Sequence, residues 1–208
     1  MIAVVDYGAG NLASVVNALE RIGTKVQITA DHHEILSADG VIVPGVGAAQ
    51  DTMKHLHEYA LEPVIRAVIN RGTPYLGICM GMQVLATSSF EDGQHDCLDV
   101  LPGHVRRLPA REPIPHMGWN QVWQTKDTPI FNGIPDGAEF YFVHSYYVDP
   151  AERSWIGAET EYGLKFPSVL ARDNVVATQF HPEKSGRWGL TLLANFVDVV
   201  AQAHAKVA

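Results

Sequence analysis

The pentapeptide Gly77-Ile78-Cys79-Met80-Gly81 follows an apolar run and opens a helical pattern over Met80–Thr87. A cysteine between two glycines at a strand-to-helix turn has the form of a nucleophile elbow, whose small flanking residues permit the tight turn that lifts the side chain clear of the sheet. The partial positive charge of a helix N-terminus favours a thiolate there, and the Met80 N–H is placed to meet a developing oxyanion. A sulfur nucleophile also needs a base. Of ten histidines, His181 in His181-Pro182-Glu183 is the best placed, because it follows the apolar run Val175–Phe180. In an extended chain residues i and i+2 point to one side, so Glu183 can hold the ring and leave its other nitrogen for Cys79. His32, His33, His55 and His57 fall in polar helical surroundings, and His95 falls in a loop. A second oxyanion donor is expected from Pro44-Gly45-Val46-Gly47, where glycine-rich backbone lets an N–H approach a ligand; such a donor is worth roughly 3–4 kcal/mol in a transition state.

One pattern competes. Gly8-Ala9-Gly10-Asn11-Leu12-Ala13 fits the G-x-G-x-x-G/A dinucleotide fingerprint, with Asp31 about 20 residues on, where a ribose-binding acid belongs. The chain shows no second domain for a redox substrate, and the elbow claims the same sheet edge, so the dinucleotide reading ranks well below the nucleophile.

Positioning these residues requires alternating strands and helices. Ile2–Asp6, Lys25–Thr29, Gly40–Val43 and Thr73–Ile78 read as strands. A helix from an Asn11 cap to Ile22 carries Leu12, Val15, Val16, Leu19 and Ile22 on one stripe, and Asp51–Asn70 reads as a helix broken near Pro63. Strands apolar throughout and separated by helices imply a parallel sheet covered on both faces. From Gly103 to Gln179 the candidates are short strands, among them Phe140–Val148, Trp155–Glu161 and Val175–Phe180, expected as a largely antiparallel extension of the same sheet. A last helix, about Arg187–Ala205, places Leu190, Leu193, Phe196, Val197 and Val200 on one face. The expected architecture is a three-layer α/β fold in one domain spanning 1–208.

The 208 residues are 47% hydrophobic with a net charge of −8. Such a chain buries roughly 70% of its unfolded surface and needs no disulfide framework. The acidic balance argues against nucleic acid, which draws on clustered Lys and Arg; the short stretch Arg106-Arg107…Arg111 reads as a solvated hairpin edge. Two cysteines, Cys79 and Cys97, read as reduced thiols of a cytoplasmic protein. The N-terminus has no signal-peptide pattern, and no apolar run approaches the roughly 20 residues that span a bilayer.

With the triad assembled, Gly77–Gln83 together with Gln179-Phe180-His181-Pro182-Glu183 resembles the class I, triad-type glutamine amidotransferases. Asp6-Tyr7-Gly8-Ala9-Gly10-Asn11, Pro44-Gly45-Val46-Gly47-Ala48, Pro115-His116-Met117-Gly118-Trp119-Asn120, Phe142-Val143-His144-Ser145-Tyr146 and His181-Pro182-Glu183-Lys184-Ser185 narrow the resemblance to the glutaminase subunits of imidazole glycerol phosphate synthase. Two departures stand out: Met80 where that family most often has Leu, and Ala49 where Phe is usual.

The resemblance implies hydrolysis of L-glutamine to L-glutamate and ammonia by Cys79, His181 and Glu183. It implies an oxyanion hole from Val46, Gly47 and Met80, and glutamine binding by Gln83, Ser145 and Tyr146; Gln83 lies one helical turn past Cys79, so both can face one pocket. No cofactor or metal is implied. A chain of this length leaves no domain to use the ammonia, so a partner is expected: a (β/α)8-barrel cyclase forming a heterodimer and completing a step of histidine biosynthesis. Residues 113–120 are the expected docking loop, with Trp119 as an aromatic anchor joined by Asn11, Asn120, Tyr141 and Lys184. The isolated chain is expected to be nearly silent. Two other classes fit parts of the pattern. One is a different elbow hydrolase, such as a cysteine peptidase, which would ignore glutamine analogues. The other is a catalytically dead binding module, disfavoured by the complete triad.

Overall fold

A computed structural model describes residues 1–8 and 10–207, so Ala9 of the Gly8-Ala9-Gly10 turn lies outside the described residues. The first half runs β1 (Ile2–Val5), α1 (Leu12–Arg21), β2 (Val26–Thr29), α2 (His32–Ser37), β3 (Gly40–Gly45), α3 (Ala49–Glu58), α4 (Glu62–Asn70), β4 (Tyr75–Cys79) and α5 (Met80–Gln83). The second half is mostly strands: β5 (Ser88–Ser89), β6 (His95–Asp96), β7 (Gly103–Arg107), β8 (His116–Gln124), β9 (Ala138–His144), β10 (Tyr146–Pro150), β11 (Ile156–Glu161), β12 (Lys165–Arg172) and β13 (Val175–Thr178). Helix α6 (Gly186–Val207) closes it.

Nine strands form the main sheet in the order β2-β1-β3-β4-β13-β12-β11-β8-β9. The first five are mutually parallel, and β12, β11, β8 and β9 continue antiparallel. Alternation along the parallel strands divides the core. Ala3, Val5, Val41 and Val43 pack with α2, α3 and α4, whereas Ile2, Val4, Ile42 and Leu76 pack with α1 and α6. Both faces of the sheet are therefore covered, giving the three layers that the uninterrupted apolar strands require.

Several boundaries differ from the sequence reading. The long helix breaks at Tyr59–Leu61, where Ala60 turns to φ +52°, while Pro63 sits in the first turn of α4, where no N–H is needed. Asn11 occupies the cap position of α1 without a side-chain cap bond; its Oδ1 accepts from the Ser14 hydroxyl instead. The elbow helix ends at Gln83 rather than Thr87, because the Val84 and Leu85 carbonyls accept from Leu98, Val100 and Leu101 N–H. The expected strand Phe140–Val148 divides at Ser145. Its second part, β10, joins a separate four-stranded sheet, β10-β7-β5-β6, so the antiparallel region is not one extension of the main sheet. The expected docking loop becomes strand from His116 onward, and His95 lies on the short strand β6.

Candidate active site

Adjacent strands β3, β4 and β13 all end at one edge of the sheet, and each delivers one part of the expected machinery. Gly45 pairs with Cys79 and Thr178 with Ile78, so the β3 exit, the elbow and the His181 segment emerge side by side. This is the edge at which open parallel sheets bind ligands. The close approach depends on glycine. A Cβ on Gly81 would stand 1.9 Å from the Val43 carbonyl oxygen, and one on Gly45 would stand 2.6 Å from Met80 Cβ. Cys79 itself has φ +53° and ψ −100°, a conformation that side-chain-bearing residues rarely adopt.

The buried tyrosines Tyr7 and Tyr75 brace the two turns. The Tyr7 hydroxyl donates to the Pro44 carbonyl at 2.8 Å, and the Tyr75 hydroxyl donates to the Gly81 carbonyl at 2.9 Å. Burial raises both phenols above their ordinary range, keeping them neutral donors.

His181 Nδ1 lies 2.8 Å from Glu183 Oε1, with both side chains 1% exposed. The contact does not come from an extended chain. Pro182–Lys184 form a single 3-10 turn, which folds Glu183 back onto the ring. His181 N–H donates to the Tyr141 carbonyl, and the Ser185 hydroxyl donates to the His181 carbonyl, fixing the backbone. Burial alone would lower the imidazole pKa; the nearby Cys79 sulfur, together with the bond to Glu183 and its charge, outweighs it and holds the ring at about 9. His181 Nε2 is buried with no partner at hydrogen-bonding geometry among the described residues.

A cavity of about 340 Å³ opens over these groups. Its wall brings together Val46, Gly47, Cys79, Met80, Gln83, Ser145, Tyr146 and His181, all expected from the sequence. Gln83 is buried, and its Nε2 donates to the Tyr146 carbonyl at 3.0 Å and to Gln179 Oε1 at 3.1 Å. The Ser145 carbonyl accepts from Leu108 N–H.

Two residues at the site received no role in the sequence reading. Gln179, wholly buried, directs Nε2 at Cys79 Sγ from 3.7 Å. Glu91 lines the cavity, and one of its oxygens accepts from Ala49 N–H at 2.7 Å. Desolvation raises the Glu91 pKa against that bond. Gln179 had a visible signal, a polar residue two positions before His181, inside the run Val175–Phe180. Glu91 had none.

The expected interface residues also have their places. Trp119 on β8 is 54% exposed and stacks edge-on against Tyr141, its cross-strand partner on β9, so it is not a core residue. Lys184 is exposed on the 3-10 turn against which α1 packs, and Asn11 is half-buried at the start of α1. Asn120 Nδ2 donates to the Glu161 carbonyl at 3.0 Å. Asp31, by contrast, caps α2, one oxygen of its carboxylate accepting from Glu34 N–H, a local role that accounts for the residue without a dinucleotide.

The family Glutamine amidotransferase class-I matches residues 3–200. The imidazole glycerol phosphate synthase subunit HisH of Chloroflexus aurantiacus is 54% identical over 201 residues, 95% of each chain. The HisH subunit of Herpetosiphon aurantiacus is 51% identical over 199 residues, 96% of this chain and 94% of that one. The chain belongs to the HisH family. Fold neighbours of the HisH-family chain include a glutamine amidotransferase crystal structure (TM-score 0.76, 20% identity, covering 97% of this chain and 100% of that one). Another is the glutaminase domain of Trypanosoma brucei CTPS with bound acivicin (TM-score 0.67, 18% identity, 97% and 93% covered). At such identities they speak for the fold alone, which matches the class I glutamine amidotransferase architecture. Among the described residues of this HisH-family chain, no helix is long and apolar enough to cross a membrane.

Proposed function

We propose that residues 1–208 act as one glutamine amidotransferase unit that hydrolyses L-glutamine and passes the ammonia to a (β/α)8-barrel cyclase in histidine biosynthesis. The observation that carries this reading is His181, bonded to Glu183 through Nδ1 and sharing one cavity with Cys79. Cys79 sulfur attacks the side-chain amide carbon, and the oxyanion rests on N–H groups of Met80 and the Val46–Gly47 segment. As the C–N bond breaks, His181 Nε2 gives its proton to the departing ammonia. Water then attacks the thioester with His181 taking its proton, and glutamate leaves. Glu183 holds the ring and stabilises its charged form, as the acid does in Ser-His-Asp enzymes.

Substrate binding follows from the remaining cavity groups. The Ser145 and Tyr146 carbonyls are both engaged by protein donors, so this segment offers a carboxylate its N–H groups. Gln83 fixes that segment, and the Glu91 carboxylate supplies the negative charge that an α-ammonium group needs.

Free ammonia protonates in water and is lost as a nucleophile, which favours a partner docked over the site. The exposed Trp119, with Asn120, Tyr141, Lys184 and Asn11, is the proposed docking surface of a heterodimer. The compartment this reading assigns is the cytoplasm, in keeping with two free thiols. The test is glutamate formation by wild type and Cys79→Ala, alone and with the cyclase plus an analogue of its substrate. Activity that appears only with the loaded cyclase and vanishes in Cys79→Ala is expected. No activity in any mixture, with Cys79 unreactive toward a glutamine-like alkylating agent, would overturn the assignment.

A further inference from the structure

Two buried histidines outside the triad form a connection that the mechanism above does not use. His116 opens β8, and His144 ends β9 directly opposite it. His116 Nδ1 lies 2.9 Å from His144 Nε2, and His144 Nδ1 lies 2.8 Å from the Tyr146 carbonyl. At the outer end Asn120 Nδ2 lies 3.2 Å from His116 Nε2.

Only one set of proton positions satisfies every link. The Tyr146 carbonyl can only accept, so His144 carries its proton on Nδ1 and accepts at Nε2. His116 must then donate from Nδ1 and accept at Nε2, where the Asn120 amide N–H supplies the proton. The result is a chain of donors all pointing inward, from Asn120 through two rings to the Tyr146 carbonyl. Gln83 Nε2 donates to the same carbonyl at 3.0 Å. Both rings are nearly inaccessible and are held among Phe142, Phe166 and Tyr162; His116 stacks on Tyr162 at 4.0 Å between centroids. Desolvation drives His116 down to about 4 and His144 to about 3, so both stay uncharged and keep this donor order at neutral pH.

We propose that His116 and His144 are positioning residues, a two-ring relay that ties Asn120, beside the exposed Trp119, to Gln83 and the Ser145–Tyr146 turn of the glutamine cavity. The relay fixes the peptide at which the chain leaves the main sheet for the smaller one. Neither ring reaches the reacting atoms; each acts through the carbonyl it helps to hold. This inference rests on the glutaminase reading above.

The experiment uses the complex with the cyclase and an analogue of its substrate. His144→Phe fills the aromatic pocket but removes both links, and is expected to raise KM for glutamine about tenfold while kcat changes less. His144→Asn keeps an amide donor near the Nδ1 position and should restore KM to within about threefold of wild type. A purely structural role would not distinguish the two variants. Independently of activity, 15N NMR of the wild-type chain at neutral pH should show both rings as the Nδ1–H tautomer. His144→Phe with an unchanged KM, failure of Asn to rescue, or an Nε2–H tautomer at either ring overturns the relay. Loss of all turnover in wild type would instead indict the glutaminase reading, with the NMR result still deciding the relay.

Discussion

Glu183 Oε1 meets His181 Nδ1 at 2.8 Å from only two residues away, inside a site where neither side chain is more than 1% exposed. The sign of the consequence follows from the pKa. The folded value of about 9 lies above the unfolded 6.5, so the stabilisation is complete below about pH 6.5 and is lost as pH rises through about 9. The melting-temperature difference between wild type and His181→Asn should be largest near pH 6 and close by about pH 10. A gap that does not change with pH would contradict the coupling. Glu183→Gln should lower kcat in the cyclase complex by about 10²–10⁴-fold, the range expected when a ring loses the group that fixes its tautomer.

Tyr7 braces the strand that supplies the proposed second oxyanion donor. Tyr7→Phe leaves the Pro44 carbonyl without its buried donor and should destabilise the fold by about 1–2 kcal/mol in urea unfolding. It should also lower kcat severalfold with little change in KM, because an oxyanion donor acts on the transition state and not on bound glutamine.

Trp119 separates docking from stability. At 54% exposure, its replacement by alanine should change unfolding free energy by no more than about 0.5 kcal/mol. The same variant should weaken cyclase binding by about tenfold or more in titration calorimetry. A large stability loss with unchanged affinity would place Trp119 in the wrong role.

The elbow was legible because its signal is local: two glycines around a cysteine, between an apolar run and a helical one. Gly81 proves indispensable for a non-local reason, its contact distance to Val43 on the neighbouring strand. The His181–Glu183 contact was legible for a reason that differs from the actual one, since a 3-10 turn creates it. The division at Ser145 was not legible, because apolar alternation through Phe140–Val148 does not reveal that the strand exchanges hydrogen-bond partners midway. The early end of α5 at Gln83, within a helix read as running to Thr87, was not legible for a similar cause: N–H groups from residues 98–101 capture carbonyls that helical propensity alone would have left to the helix. Glu91 reaches the cavity through a bond to Ala49, 42 residues away, and no spacing encodes that.

The backbone of Cys79 at φ +53° and ψ −100° has a consequence for how such a chain can be altered. The conformation suits glycine, so Cys79→Gly should fold more stably than Cys79→Ala by about 1 kcal/mol in urea unfolding, although neither has a nucleophile. At this position endurance and reactivity pull in opposite directions. A population of variants selected for heat resistance alone, without any demand for ammonia, should accumulate glycine at residue 79 and turn a working enzyme into a sturdier inert one.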